Sequence, residues 1–132
     1  MPSLPRRIAV AVGALAALVL GSCGGDSEPT PEPVSDCPTG GTTLTAQNFG
    51  LAFFQSYCTR CHSSTRTGAA RNGAPPDFNY DTIEGIRAHL RDIDAEAGAD
   101  GSAVNTEMPP GDPRPTDAER RQLSEWIGCG AN

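Results

Sequence analysis

The sequence predicts an all-α fold: three main helices joined by long loops. Three observations carry that expectation. Apolar residues recur at helical spacing in three separate windows, strand-like alternation is scarce, and helix start and stop signals bracket each window. A chain of 132 residues with no internal repeat fits a single folded domain.

The first helix is read in TAQNFGLAFFQSYC, residues 45–58. Thr45 is placed as its N-cap, with Leu44 and Phe49 positioned as a hydrophobic staple. Phe49, Phe53 and Tyr57 recur every four residues along one face, with Phe54 beside them. Gly50 weakens a helix, so a packing reason is expected for it, such as the close approach of another helix. The second helix is read in YDTIEGIRAHLRDIDAEAG, residues 80–98, where Ile83, Ile86, Leu90 and Ile93 form an apolar stripe and Gly98 terminates it. The third is TDAERRQLSEWIGCG, residues 116–130. There Thr116 and Glu119 make a capping box behind Pro115, Leu123, Trp126 and Ile127 form the buried face, and Gly128 ends the helix.

Between these helices lie SSTRTGAARNGAPPDFN (63–79) and ADGSAVNTEMPPGDPRP (99–115). Loops of that length in a small domain are usually functional or wrapped around something. Three short helices bury little core by themselves, and a large apolar cofactor would supply the missing interior. One tempting motif fails. DIDAEAGADGS suggests a calcium loop, but after Asp92 and Asp94 come Glu96 and Ala97, so the required glycine and final glutamate are out of register.

The chemistry concentrates in Cys58-Thr59-Arg60-Cys61-His62. Two thiols three positions apart, with an imidazole next to the second, can hold half a zinc site, form a dithiol redox pair, or attach a haem. Zinc needs two further ligands at suitable spacing, and His89, Cys37 and Cys129 are scattered. A thioredoxin-like pair wants a βαβ context, whereas the surroundings here read as helical. C-x-x-C-H is the spacing for covalent haem attachment, with Cys58 and Cys61 spanning the two vinyl groups and His62 reaching the iron. The iron's other face calls for a second ligand. Met108 stands in TEMPPGDP, outside any apolar stripe and between Glu107 and two prolines. That is poor context for a core methionine and good context for a ligand of an electron-transfer haem. His89 is the rival, at the flank of the second stripe.

From Cys37 to Cys129 the chain resembles a monohaem class I c-type cytochrome of the small bacterial periplasmic kind. The resemblance rests on the helix running into CxxCH, the later Met-Pro-Pro loop and the final helix with its aromatic residue. It implies a cytochrome c-like fold around one covalent haem c, with His62 and Met108 as axial ligands. It also implies that Gly50, Phe53 and Phe54 meet Leu123 and Trp126, where the first and last helices cross. A proline carbonyl after CxxCH, from Pro75 or from Pro76, would accept the hydrogen bond of the ligand imidazole. The chain departs from the family in having no lysine, so a lysine-ringed docking edge does not carry over.

At the N-terminus, Arg6 and Arg7 precede an apolar run from Ile8 to Leu20, which has the length of a signal-peptide core rather than a membrane span. The following Leu20-Gly21-Ser22-Cys23 resembles the lipobox of bacterial lipoproteins, implying cleavage before Cys23 and a lipid on its sulfur. Gly24 in place of aspartate leans towards an outer-membrane destination on the periplasmic side if the source is Gram-negative. Residues 1–22 are therefore expected as a lipoprotein signal peptide, 23–43 as a lipidated Pro/Gly-rich tether, and 44–132 as the folded domain.

Of five cysteines, one would then carry lipid and two haem, leaving Cys37 and Cys129 to pair in an exported chain. Such a bridge, closing some ninety residues, would be worth roughly 4–5 kcal/mol by chain entropy. Without Arg6 and Arg7 the chain keeps eight arginines against sixteen acidic residues, a formal charge of −8. That argues against a nucleic-acid partner and suits a redox protein with a basic docking face. The resulting expectation is a monomeric, lipid-anchored one-electron carrier and not an enzyme. Alternatives are a haem sensor with a displaceable Met108, a haem-bearing accessory subunit of a larger oxidoreductase, and a haem-free metal-binding lipoprotein.

Overall fold

Thr45 caps the first helical segment. Its hydroxyl accepts from the Asn48 N–H, and the Asn48 side chain accepts from the Thr45 N–H, satisfying two donors that a helix start leaves open. In the computed structural model, which describes residues 35–100 and 103–132, the segment opens as a π-helical turn, Ala46–Gly50, and continues as α1, Leu51–Tyr57. Gly50 sits where the Trp126 indole passes: a Cβ there would lie 2.5 Å from two ring carbons. The glycine thus has the packing reason its position called for. Phe49 and Phe54 also approach the indole, with ring centroids 6.1 and 6.2 Å away.

The last helix, α4, spans Asp117–Gly128 behind the Thr116–Glu119 capping box. Leu123, Trp126 and Ile127 are its fully buried face. Asn132 links the two ends of the fold, because its backbone oxygen accepts from Trp126 Nε1 at 3.1 Å and from the Ala46 N–H at 2.6 Å. Glu119 has a second use, accepting the Tyr57 hydroxyl at 2.9 Å and so joining the end of α1 to the start of α4.

The single helix expected over residues 80–98 is instead two, α2 (Ile83–Arg87) and α3 (Leu90–Ala97). The break falls at His89, where φ is −134° and the preceding turn tightens as the His89 N–H bonds Ile86 three residues back. Stacking accompanies the break: the imidazole lies on Phe78, with centroids 4.0 Å apart. The apolar stripe survives it, with Ile86 and Ile93 buried and Ile83 and Leu90 packed against the core. Asp92, Asp94 and Glu96 therefore lie on a helix and not in a cation loop.

A minor hairpin follows, pairing β1 (Ala99–Asp100) with β2 (Ala103–Val104) antiparallel, Ala99 opposite Val104. It was not expected, since two-residue strands are too short to show an alternating pattern. α4 packs against α3 and β1, and Ser124 ties them by accepting the Ala99 N–H at 2.6 Å and donating to the buried Asp94 carboxylate. The whole is a mostly helical small domain with about three main helices and this hairpin.

Cys37 and Cys129 form a disulfide with Cα atoms 4.6 Å apart, 92 residues apart in sequence. Residues 35–43, read from sequence as tether, lie against the domain. Thr42 Oγ1 donates to Glu125 at 2.6 Å, and a Cβ on Gly128 would lie 2.7 Å from the Asp36 backbone. The expected signal peptide, the expected lipidation site Cys23 and residues 24–34 of the expected tether lie outside the described residues. Among the described residues no helix is long and apolar enough to cross a membrane.

Candidate functional site

α1 runs out at Tyr57, and the chain turns tightly from there. The Cys58 N–H still bonds Phe54, while the N–H groups of Cys61 and His62 both return to the Cys58 oxygen, at 3.1 and 2.9 Å. This turn delivers Cys58, Cys61 and His62 to the wall of one cavity of about 400 Å³. Phe53 and Phe54 of α1, Phe78 and Tyr80 of the following loop, and Ile93 and Ala97 of α3 make its other walls mainly apolar. Met108 and Pro109 close it from the loop before α4, and Pro75 also lines it. Pro76 is exposed and not part of the wall, and neither is His89, whose ring is taken up by Phe78.

Cys58 and Cys61 are free thiols. Burial pushes the Cys58 thiol up to about 12, against a smaller opposing pull from Arg60 and Arg120, so it is neutral at physiological pH. His62 is half-buried, and desolvation pulls its pKa below the ordinary histidine value, with the Phe78 carbonyl opposing. Its Nδ1 lies 3.2 Å from the Phe78 oxygen. A carbonyl can only accept, so Nδ1 carries the proton and the neutral ring keeps a free lone pair on Nε2. The ring is further fixed by Tyr80, stacked at 4.7 Å and 18°, whose N–H holds the His62 carbonyl at 2.9 Å.

The acceptor is a correction to the sequence reading, which placed it on Pro75 or Pro76. The Pro75 oxygen takes the Phe78 N–H at 3.2 Å and an Arg71 guanidinium proton, and the Pro76 oxygen takes Asn79 Nδ2 at 2.9 Å. The turn from Pro75 to Phe78 directs both proline carbonyls to these other donors, and the Phe78 carbonyl faces the imidazole.

Three arginines organise the surroundings, and sequence reasoning assigned none of them a role. Arg71, 6% exposed, donates to the backbone oxygens of Ser63, Ala74, Pro75 and Phe78 and to Asn79 Oδ1. Arg120, 1% exposed, donates through Nη1 to the oxygens of Ala97, Asn105 and Met108 at 2.6–2.8 Å. Arg60, inside the CxxCH motif, donates to Gly111 and Asp112 and so joins the thiol segment to the Met108 loop. Arg120 was detectable, because it stands three residues before Leu123 and seven before Ile127, on the buried face of α4. Nothing in the sequence separates Arg71 from a surface arginine.

Met108 is held through its backbone. Its N–H bonds the Glu96 oxygen at 3.0 Å and its oxygen takes Arg120, while the residue remains 39% exposed. Comparison with family models, with curated proteins and with solved structures finds no match to this chain. The site therefore has to be read from its own chemistry. Among the described residues no group of three or more His, Cys, Asp or Glu side chains could hold a metal ion. A haem fits what is present: an apolar cavity in the usual range for cofactor sites, roughly 300–1,000 Å³, two free thiols, one imidazole nitrogen with an uncommitted lone pair, and a thioether on the closing loop.

Proposed function

We propose that this chain is a one-electron carrier of the class I c-type cytochrome kind, exported and held at a bacterial membrane by lipid on Cys23. The single observation that carries the reading is the convergence of Cys58, Cys61, His62 and Met108 on one apolar cavity. Cys58 and Cys61 would hold the haem through thioethers, and His62 and Met108 would supply ligands to its iron. A bound haem supplies the reversible ferric/ferrous couple. The protein's contribution is to orient and insulate. Phe78 fixes the His62 tautomer, the aromatic wall lowers the local dielectric and keeps water out, and Arg120 and Glu96 hold the Met108 backbone. The acidic balance of the chain suits a redox partner with a basic face, and the tether would keep the domain near that partner at high effective concentration.

The test is covalent haem. Protein exported in a host that matures c-type cytochromes is expected to gain the mass of one haem and to keep it after acid-acetone extraction. The Cys58→Ser/Cys61→Ser double variant is expected to lose it. Wild-type protein recovered from that host without haem would refute the reading. The exposure of Met108 favours one second reading, a ligand-binding haem protein in which Met108 gives way to an incoming diatomic molecule.

A further inference from the structure

The Phe78 carbonyl has two donors. His62 Nδ1 lies 3.2 Å from it and Arg71 Nη2 lies 3.0 Å from it. A carbonyl oxygen has two lone pairs and can serve both, but each donor draws electron density from the same atom. The guanidinium is charged, and a charge-assisted bond is the stronger competitor. The imidazole is therefore left with a weaker acceptor than an unshared carbonyl would provide.

We infer that Arg71 is a positioning residue for the His62 imidazole, setting both where the Phe78 carbonyl points and how much proton density it can draw from Nδ1. The inference rests on the haem reading above. The same buried guanidinium holds Ser63, immediately after His62, and Pro75, which closes the turn leading to Phe78. The two ends of the loop that follows the imidazole are thus fixed from one point. With a shared acceptor, Nδ1 keeps its proton firmly and Nε2 is a less electron-rich donor, which favours the reduced state of a bound iron. A lysine cannot replace this arrangement, because an ammonium is a point charge without the planar fork that reaches several carbonyls at once.

The test compares wild type with Arg71→Lys and Arg71→Gln as haem-loaded, full-length protein. In reduced wild type, a nuclear Overhauser contact is expected between an Arg71 guanidinium proton and the His62 Nδ1 proton. In Arg71→Lys the Nδ1 proton is expected to move downfield as its bond to Phe78 strengthens. The ferric/ferrous ratio at a fixed potential should shift towards ferric, a shift of about tenfold being equal to 59 mV for a one-electron couple. Retention of positive charge in Arg71→Lys separates this effect from simple loss of charge, which Arg71→Gln adds. Absence of the Overhauser contact in wild type would overturn the inference even if neither variant folds. So would Arg71→Lys with wild-type potential and an unmoved Nδ1 resonance. Wild-type protein without haem would instead refute the functional reading, so the two failures are distinguishable.

Discussion

The two sides of the cavity are built on different principles. On the His62 side, the reactive ring itself is held: one nitrogen bonds Phe78, a face stacks on Tyr80, and the backbone is pinned at both N–H and carbonyl. On the Met108 side, the backbone is held by Glu96 and Arg120 while the residue stays 39% exposed. A side chain fixed along its whole length gives up its position only if the loop unfolds. One fixed only at its root can swing away at the cost of a few rotamers. If the cavity holds the proposed haem, the difference implies a permanent ligand on one face of the site and a more readily exchanged one on the other.

The most forceful way to break that comparison is to remove each proposed ligand. His62→Ala is expected to abolish low-spin haem in both oxidation states and to lower haem yield. Met108→Ala is expected to keep covalent haem and to take up carbon monoxide rapidly when reduced. Visible spectra of the two variants report both outcomes, and identical spectra would erase the asymmetry.

Next in size is Arg120→Met, which leaves the Ala97, Asn105 and Met108 carbonyls without their shared donor. Only the Ala97 bond is fully buried, the other two being part-buried. An unpaired buried group costs about 1–3 kcal/mol, and urea unfolding is expected to show a loss of about that size. Loss of the methionine spectral signature should precede global unfolding. Gly50→Ala sharpens the account from outside the cavity. Its Cβ would meet the Trp126 ring at 2.5 Å, so a cost of about 1–3 kcal/mol is expected, with the haem spectrum unchanged.

A pH effect should appear in the haem-free chain. Burial lowers the His62 pKa in the folded chain, so the unfolded chain binds the proton more tightly. His62 thus contributes stability that is present above the ordinary histidine value of 6.5 and is lost as pH falls through the lower folded value. Denaturation of the haem-free chain should show that loss, and His62→Gln should remove it. Smallest is Arg60→Gln. Arg60 is part-exposed and its partners are loop carbonyls, so stability should change by less than about 1 kcal/mol. Carbon monoxide binding to the reduced protein should nonetheless quicken, because the Met108 loop has lost its link to the CxxCH turn.

The legible parts of the molecule were those governed by local rules. Thr45 and Thr116 cap helices because a short hydroxyl at that position has a nearby N–H to accept from, and Gly50 marks a close approach because little else fits there. The thiols, the imidazole and Met108 could be named individually, since each is chemically distinctive and sparse in this chain. What stayed hidden depends on contacts between distant segments. The break at His89 accompanies a stack on Phe78, eleven residues earlier, which no periodicity reports. The hairpin left one trace in the sequence, the dipeptide Gly101-Ser102 between the two strands, a two-residue turn signal too short to read without strands beside it. The acceptor for His62 was misplaced by a few residues because carbonyl direction follows the closing of a turn, and residue type does not determine it.

The central claim is that this cavity holds a haem between a fixed His62 and a more loosely held Met108. The most direct test is the visible spectrum of the exported wild-type protein, oxidised, then reduced, then reduced under carbon monoxide. The account predicts a low-spin haem with the red charge-transfer feature of methionine-bound ferric iron, and carbon monoxide uptake slower than in Met108→Ala. A high-spin ferric spectrum without that feature, or uptake as fast as in the variant, would contradict it.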